Sequence, residues 1–312
     1  MSEKLHVPIL VIGSGPAGLT AAVYAARAGY LPYVIGGYEF GGQLMLTTAV
    51  ENYTGFPDGV LGPDLMANMR KQAENNGAKM VDRNVTRVDF STKPFRVWVE
   101  DTEYTADAVI VATGASAKWL GFESENRFKG RGVSSCAVCD GAFFKGQDLV
   151  VVGGGDVAME DSLYLSKLAR SVTVIHRRDK LRASHVMQRR AMAAPNIRFV
   201  WDSVVEEVLG DRKVEGVKVR NLKTGEASTI RCGGLFVSIG HSPNTSIFKD
   251  QIELDKAGYA VAKERTMSSR EGVFLAGDVA DHIYRQAITA AGSGCQAALD
   301  AVRYLEAEKD RQ

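Results

Sequence analysis

Apolar residues fall along this chain in two alternating patterns. Short unbroken runs occupy residues 7–12, 31–35, 106–112, 149–152, 172–175, 235–239 and 272–276, and most end in glycine or in a polar turn. Continuous hydrophobicity over four to seven positions predicts parallel strands covered on both faces. Between them lie helical stretches: an Ala-rich run to about Ala28, an amphipathic run over 64–77 introduced by Pro63-Asp64, and a final one opened by Arg285-Gln286-Ala287. Shorter β-type runs lie at 79–82, 85–90 and 95–99, and again at 197–201, 215–220 and 227–231. Strands alternating with helices predict an α/β fold with parallel sheets.

The first strand runs into Gly13-Ser14-Gly15-Pro16-Ala17-Gly18, and a helix follows. Strand, G-x-G-x-x-G, helix is the setting in which backbone approaches a pyrophosphate at a positive helix N-terminus. A turn that merely lets helix pack on strand is the competing explanation. The pattern recurs as Gly153-Gly154-Gly155-Asp156-Val157-Ala158 after the strand at 149–152, so the chain carries two copies and two expected nucleotide sites. They want different ligands. The strand after the second copy ends in His176-Arg177-Arg178, with Arg182 one turn on, whereas the equivalent place in the first copy is Gly36. Guanidinium groups there suit the 2′-phosphate of NADP. A solvated charged turn, part-neutralised by Asp179, is the alternative; His185, Arg189 and Arg190 read as a solvated helix face. The first copy lacks the usual ribose-binding acid, Glu39 being the nearest, and offers the amides of Gln43 and Asn52 instead.

Between the two copies stands Cys136-Ala137-Val138-Cys139-Asp140. Two thiols at this spacing at a helix start can open and close a disulfide, and an acid beside the second sulfur can move the proton. Half of a zinc site is the competing reading, but Cys232 and Cys295 stand alone and give no second pair. Asp278 closes the last apolar strand and is expected in the ligand crevice, where it suits a hydroxylated chain; helix capping is its alternative. His241 lies in a turn and is more simply polar than catalytic.

A length of 312 residues suggests about two domains. With 45% hydrophobic and 24% charged residues, the chain has the make-up of a soluble globular protein. A net charge of +1 gives no general attraction to nucleic acid or acidic membranes, and no apolar run reaches the roughly 18 residues of a membrane span. No metal site is expected. The N-terminus does not read as a signal peptide, and four cysteines make no disulfide framework, so a reducing cytoplasm is the expected compartment. The polar stretches 115–132 and 240–246 read as linkers, and residues 306–312 as a frayed end.

Taken together, Gly13 to Gly18, Gly41-Gly42-Gln43-Leu44, Ala112-Thr113-Gly114, Cys136 to Gly141, Gly153 to Ala158, His176-Arg177-Arg178, Gly277-Asp278 and Arg285-Gln286-Ala287 give the chain a resemblance, nearly end to end, to low-molecular-weight NADPH-dependent thioredoxin reductases. Cys-Ala-Val-Cys and the segment from Tyr284 to Gly292 look closer to plant and fungal members. The resemblance implies two Rossmann-like, three-layer ββα domains: an FAD domain in two segments, 1–117 and 246–312, with an NADPH domain, 118–245, inserted. It implies FAD contacts at Ser14, Gly15, Pro16, Ala17, Gly41, Gln43, Asn52, Val85, Cys139, Asp278, Arg285, Gln286 and Ala287. Gly155, Asp156, Val157, His176, Arg177, Arg178 and Arg182 would hold NADPH. Cys139 would be the sulfur against the flavin, Cys136 the one that attacks oxidised thioredoxin, and Asp140 the acid–base. A homodimer is implied, as is a swing of the inserted domain. The pair cannot lie on the flavin and also reach a protein partner, and the linkers are natural hinges. A dithiol oxidase, or a reductase serving another disulfide partner, is the rival enzyme; a nucleotide-binding scaffold would leave the cysteine pair without a role.

Overall fold

The computed structural model describes residues 4–47 and 49–311. Seven α-helices occur among them: α1 Pro16–Arg27, α2 Gly62–Asn75, α3 Glu123–Phe128, α4 Ala137–Asp140, α5 Asp156–Ser166, α6 His185–Ala193 and α7 Ala287–Asp310. The chain forms two compact units. The first takes in the chain up to Ser116 and again from Ser242; the second is Ala117–His241.

In the first unit one sheet runs in the order Lys79–Val81, Tyr33–Ile35, Lys4–Ile12, Thr102–Val111, Phe95–Val99, Val85–Asp89. The first four strands are parallel and the last two antiparallel. Thr102–Val111 gives one whole edge to Lys4–Ile12. Its other edge is shared, residues 102–106 with Phe95–Val99 and residues 109–111 with the returning strand Val273–Leu275. The two sequence segments are thereby stitched into one sheet, and Ile12, Ile35, Val111 and Leu275 all end at the same edge. Ile9, Val11, Ile110 and Phe274 face α1, α2 and α7, while Leu10, Ile12, Val109 and Leu275 face Phe90, Phe95 and Phe248. Burial on both faces is why these strands read as unbroken apolar runs. The alanines of α1 have a packing reason as well. α1 lies so close to α7 that a Cβ on Gly294 would come within 2.1 Å of the Ala17 carbonyl oxygen.

The second unit has an all-parallel sheet ordered Val133–Ser134, Gly234–Val237, Asp148–Val152, Ser171–Ile175, Ile197–Val200, and a separate antiparallel meander, Ser203–Leu209, Gly216–Asn221 and Ala227–Arg231. α5 and α6 cover one face of the parallel sheet, and the meander's valines pack on the other. Each unit is an α/β three-layer fold built on a strand–glycine turn–helix start.

Two expectations need correcting. The stretch 115–132 is a linker only at its beginning. Ala115–Ala117 pairs with His241–Pro243 in a two-stranded ribbon, and the residues beyond fold into the second unit. There α3 buries Phe128 completely, and the fully buried Glu125 accepts the N–H groups of Leu120 and Gly121, 2.8 Å each. A polar, glycine-containing sequence concealed a carboxylate that closes its own loop. The C-terminal residues are not frayed through 311: α7 continues to Asp310, Lys309 lies over the Tyr30 ring at 5.1 Å, and Arg311 pairs with Glu308 at 2.9 Å. Gln312 lies outside the described residues. Among the described residues no helix is long and apolar enough to cross a membrane.

Candidate redox and nucleotide sites

Cys136 and Cys139 are joined in a disulfide, their Cα atoms 5.3 Å apart. Cys136 is the N-cap of α4 and its sulfur accepts the Cys139 N–H at 3.2 Å. A thiolate at Cys136 would keep that bond, which favours the charged form. The Asp140 N–H donates to the Cys136 carbonyl at 3.1 Å, so the turn holds both sulfurs and the acid together. Burial raises the Asp140 carboxyl above the usual carboxylate range, against a hydrogen bond from Ser134 that lowers it. Val138, between the sulfurs, is exposed. The other cysteines differ. Cys232 is buried, its thiol pushed up to about 12 by burial, and Cys295 is part-exposed on α7. Among the described residues no group of three or more His, Cys, Asp or Glu could hold a metal ion.

In the second unit Gly153, at φ 159°, turns the chain from Asp148–Val152 into α5; a Cβ there would lie 2.4 Å from the Ser238 carbonyl oxygen. Gly155 is the N-cap of α5, and a Cβ on it would meet nothing within 4 Å. The backbone is thus open to a ligand at the helix start. The Asp156 carboxylate accepts the Ser184 N–H at 2.8 Å, which holds its pKa below the usual value, and Val157 is part-buried in the first turn. Arg177, Arg178 and Arg182 are exposed. His176 departs from them. It is buried, its ring fills the space beside Gly154 and meets Trp201 edge-on, and desolvation lowers its pKa. The cluster's positive charge is therefore that of the arginines, and His176 is a neutral wedge beneath the turn. His185, Arg189 and Arg190 lie exposed on or at the start of α6.

In the first unit Gly13 (φ 118°) and Gly18 are fixed by packing. A Cβ at Gly18 would fall 1.9 Å from the Gly13 carbonyl oxygen, whereas one at Gly15, the N-cap of α1, would meet nothing within 4 Å. Ser14 is buried; its hydroxyl donates to the Gly36 carbonyl at 2.9 Å and accepts the Gly41 N–H at 3.1 Å, tying three turns together. Pro16 and Ala17 open α1, and Gln43 lies exposed on the short helix Gly42–Leu46. Val85 starts the strand Val85–Asp89, part-buried. Asn52 and Gln286, from opposite ends of the chain, meet through an amide hydrogen bond of 3.2 Å. Arg285 has φ 47°, and Ala287 begins α7. Asp278, just past Val273–Leu275, has a buried Oδ1 with no hydrogen-bond partner, and burial, reinforced by Asp281, pushes its pKa up to about 6. Glu39 is exposed.

Two residues escaped the sequence reading. Asp281 accepts the N–H groups of Ile283 and Tyr284 at 2.8 and 2.9 Å and of Arg285 at 3.3 Å, shaping the loop that presents Arg285 and Gln286. An Asp two residues before a loop is a weak turn signal, and here it was the only one. Ser134, whose hydroxyl accepts the Cys136 N–H at 3.0 Å, had no signal beyond proximity to the pair.

Comparison with known proteins agrees with this geometry. The family model for pyridine nucleotide-disulphide oxidoreductases matches residues 7–294. The chain is 50% identical over 307 residues to the thioredoxin reductase of Rickettsia prowazekii, covering 97% of this chain and 99% of that one. It is 54% identical over 305 residues to the thioredoxin reductase of Streptomyces coelicolor, covering 97% and 95%. Among solved structures, the thioredoxin reductase from Giardia duodenalis superposes with a TM-score of 0.93 at 45% identity, and that from Streptococcus pyogenes with 0.93 at 42%, each covering 97% of this chain and 99% of the other. With a match of that extent to both the family model and full-length relatives, the chain belongs to the pyridine nucleotide-disulphide oxidoreductase family, among its thioredoxin reductases.

Proposed function

We propose that the chain reduces the disulfide of oxidised thioredoxin with electrons from NADPH, relayed through FAD and the Cys136–Cys139 pair. The observation that carries this reading is the disulfide at the N-cap of α4, followed at once by a largely buried acid. The family's cofactors are FAD and NADPH, and the residues present fit both. Asp278 holds a buried oxygen without a partner, which the hydroxyls of a ribityl chain would satisfy. The open faces of Gly15 and Gly155 would admit a pyrophosphate, and Arg177, Arg178 and Arg182 would take a 2′-phosphate. FAD, when bound, supplies the two-electron carrier between nicotinamide and disulfide.

The steps that follow belong to the chain's own residues. In the reduced pair, the Cys136 thiolate attacks one sulfur of the thioredoxin disulfide, forming a mixed disulfide and freeing one partner thiolate. The Cys139 thiolate then attacks the Cys136 sulfur, which restores the Cys136–Cys139 bond and releases the second partner thiolate. Two electrons leave the pair and two protons must follow them to the partner. Asp140, its carboxyl held protonated closer to neutral pH by burial, is placed to carry one.

In this reading the FAD segments are 1–117 and 246–312 and the NADPH segment is 118–245, and the inserted segment turns about the paired strands Ala115–Ala117 and His241–Pro243 so that pair and nicotinamide act alternately. A homodimer and a cytoplasmic location belong to the same reading, as the setting in which an NADPH-fed thiol cycle would run. Kinship with plant and fungal members rests on Cys-Ala-Val-Cys and the 284–292 segment alone, since the Rickettsia and Streptomyces relatives are bacterial. The exposed arginines and the open Gly155 turn favour a reductase over a dithiol oxidase, which needs no NADPH. Turnover of oxidised thioredoxin by the purified yellow protein tests the proposal. NADPH consumption at one per thioredoxin dithiol supports it; oxygen-dependent peroxide release from dithiols without NADPH use contradicts it.

Two substitutions separate fold from cofactor binding. Gly18→Ala is expected to destabilise the protein by at least about 2 kcal/mol, because its methyl strikes backbone. Gly15→Ala should cost within about 1 kcal/mol of fold yet weaken FAD roughly tenfold or more, since its methyl enters only the ligand's space. Thermal denaturation of the flavin-free proteins and FAD titration distinguish the two.

Asp278 gives a pH dependence of definite sign. Its folded pKa of about 6 lies above the ordinary value of 3.8, so the folded, flavin-free chain keeps a proton that the unfolded chain releases. Stability therefore falls as pH rises from about 4 to 6, by roughly 3 kcal/mol in all. Asp278→Asn should raise the melting temperature of the flavin-free protein by roughly 5 °C at pH 7.5, give no gain at pH 4, and weaken FAD. Equal effects at both pH values would show that the charge is not the cause.

A further inference from the structure

We propose that Asn52 is a positioning residue of the flavin site: its amide clasps Gln286, the N-cap of α7, and so aims the first N–H groups of that helix at the bound ring. This deepens the reading above and rests on FAD occupying the first unit.

The start of α7 lies among the places already given to FAD. The Gly277 N–H, one residue before Asp278, donates to the Ser293 hydroxyl of α7 at 2.7 Å. A Cβ on Gly277 would fall 2.9 Å from the Ala17 Cβ and 3.5 Å from the Ala290 Cβ. The first turns of α1 and α7 therefore converge on the turn that carries Asp278. The leading N–H groups of a helix carry the positive end of its dipole, and a ring that gains negative charge on reduction is favoured there.

Gln286 is an unusual N-cap. Short side chains, those of Ser, Thr, Asp and Asn, ordinarily serve in that place. A longer one must be held, and the Gln286 amide is held at every position it has. Its oxygen accepts the Thr289 N–H and, at 3.2 Å, the Asn52 amide N–H. Its nitrogen donates to the carbonyls of Tyr284 at 3.3 Å and Arg285 at 3.2 Å. Two acceptor and two donor capacities are all that such an amide offers. The side chain cannot turn to the flavin without giving up its own cap, so what α7 presents there is backbone. The Gln286 N–H goes to the Thr289 hydroxyl at 3.3 Å, which leaves Ala287 and Ile288 as the helical N–H groups that neither cap side chain takes.

Asn52 enters this network from 234 residues away. It stands two residues beyond the buried Val50, in the strand Ala49–Val50, whose pairing with Val60–Leu61 closes the loop between them. The ribbon fixes Asn52, and Asn52 fixes the cap. The bond uses one N–H of the Asn52 amide and none of its oxygen, so a flavin contact at that oxygen is compatible with it. Asn52 is exposed, and a single exposed hydrogen bond contributes little to stability, so its loss is felt in the aim of α7 rather than in the fold.

The test is a redox equilibrium, measured on the FAD-loaded full-length chain with Cys136 and Cys139 replaced by Ser, so that the flavin alone takes up electrons. Each protein is equilibrated anaerobically with a redox dye, and the ratio of reduced to oxidised flavin is read from absorbance. Asn52→Ala should lower that ratio about fivefold, while its affinity for oxidised FAD falls by less than about threefold and its melting temperature stays within about 3 °C. Gln286→Ala should lower the ratio at least as far, and the double variant should match Gln286→Ala alone, because Asn52 acts through that residue. Asn52→Leu, close in size and without a donor, repeats the comparison should alanine loosen the loop. A ratio unmoved in both Asn52 variants would overturn the inference, since a merely structural clasp weakens both flavin states alike. Additive effects in the double variant, or Asn52 variants that fold but take up no FAD, would make Asn52 an independent ligand contact and overturn it too. A parent protein that bound no FAD would overturn the flavin reading first, and this inference with it.

Discussion

Cys136→Ser is expected to retain bound FAD and its bleaching by NADPH, and to reduce thioredoxin at least about 10³-fold more slowly than the wild type. The substitution is nearly isosteric, and Cys136 contributes to none of the buried clusters of its unit. The N-cap position tolerates it well, since a serine oxygen accepts the Cys139 N–H as readily as sulfur does. Fold and nucleotide turns are therefore untouched, and the loss falls on chemistry alone. A hydroxyl is neither ionised near neutral pH nor able to form and break a disulfide. Cys139→Ser should be equally inactive in turnover but should trap a Cys136–thioredoxin mixed disulfide, because the resolving thiolate is missing. Stopped-flow absorbance and non-reducing electrophoresis check the two variants. A Cys136→Ser protein that still turned over thioredoxin would remove Cys136 from the mechanism.

Replacing Arg177 and Arg178 together by Ala is expected to raise the KM for NADPH by roughly 10²-fold, with less than about threefold change for NADH and little change in kcat. Both side chains are exposed at the end of Ser171–Ile175, and neither supports the core, so stability should hold within about 0.5 kcal/mol. The cofactors differ only in the 2′-phosphate, and a loss confined to NADPH therefore identifies what the guanidinium groups bind. Equal losses for NADPH and NADH would make them part of a general electrostatic surface. His176 should behave differently from its neighbours. As a buried wedge against Gly154 and Trp201, His176→Ala is expected to lower stability rather than cofactor preference.

The difference between His176 and the arginines marks how far the sequence was legible. Runs buried on both faces announced the parallel strands, and G-x-G-x-x-G between strand and helix announced both turns, because each feature is local. Spacing alone put Cys136, Cys139 and Asp140 on one helical turn. Properties that depend on partners distant in sequence were not legible. Nothing near Asn52 announces that it meets Gln286, and nothing in a His-Arg-Arg run separates the residue that packs inward from those that face water. The same limit explains Glu125, which looks like linker polarity until its two oxygens are seen capping Leu120 and Gly121. It explains α7 as well, where charged residues suggested fraying although Lys309 and Glu308 are held by Tyr30 and Lys93. Ser134 is the extreme case, a small polar residue whose only distinction is what it touches.

The relay through the Cys136–Cys139 pair is tested most directly by counting its thiols. The protein is held anaerobically, alkylated, and mapped by mass spectrometry before NADPH, after NADPH, and after excess oxidised thioredoxin. Cys232, with its thiol pushed up to about 12, stays silent, and Cys295 gives a constant background. The account predicts alkylation of Cys136 and Cys139 only after NADPH, and its disappearance from both when thioredoxin is added, with the thioredoxin pair labelled in their place. A pair that remained closed while NADPH bleached the flavin and thioredoxin was still reduced would contradict it.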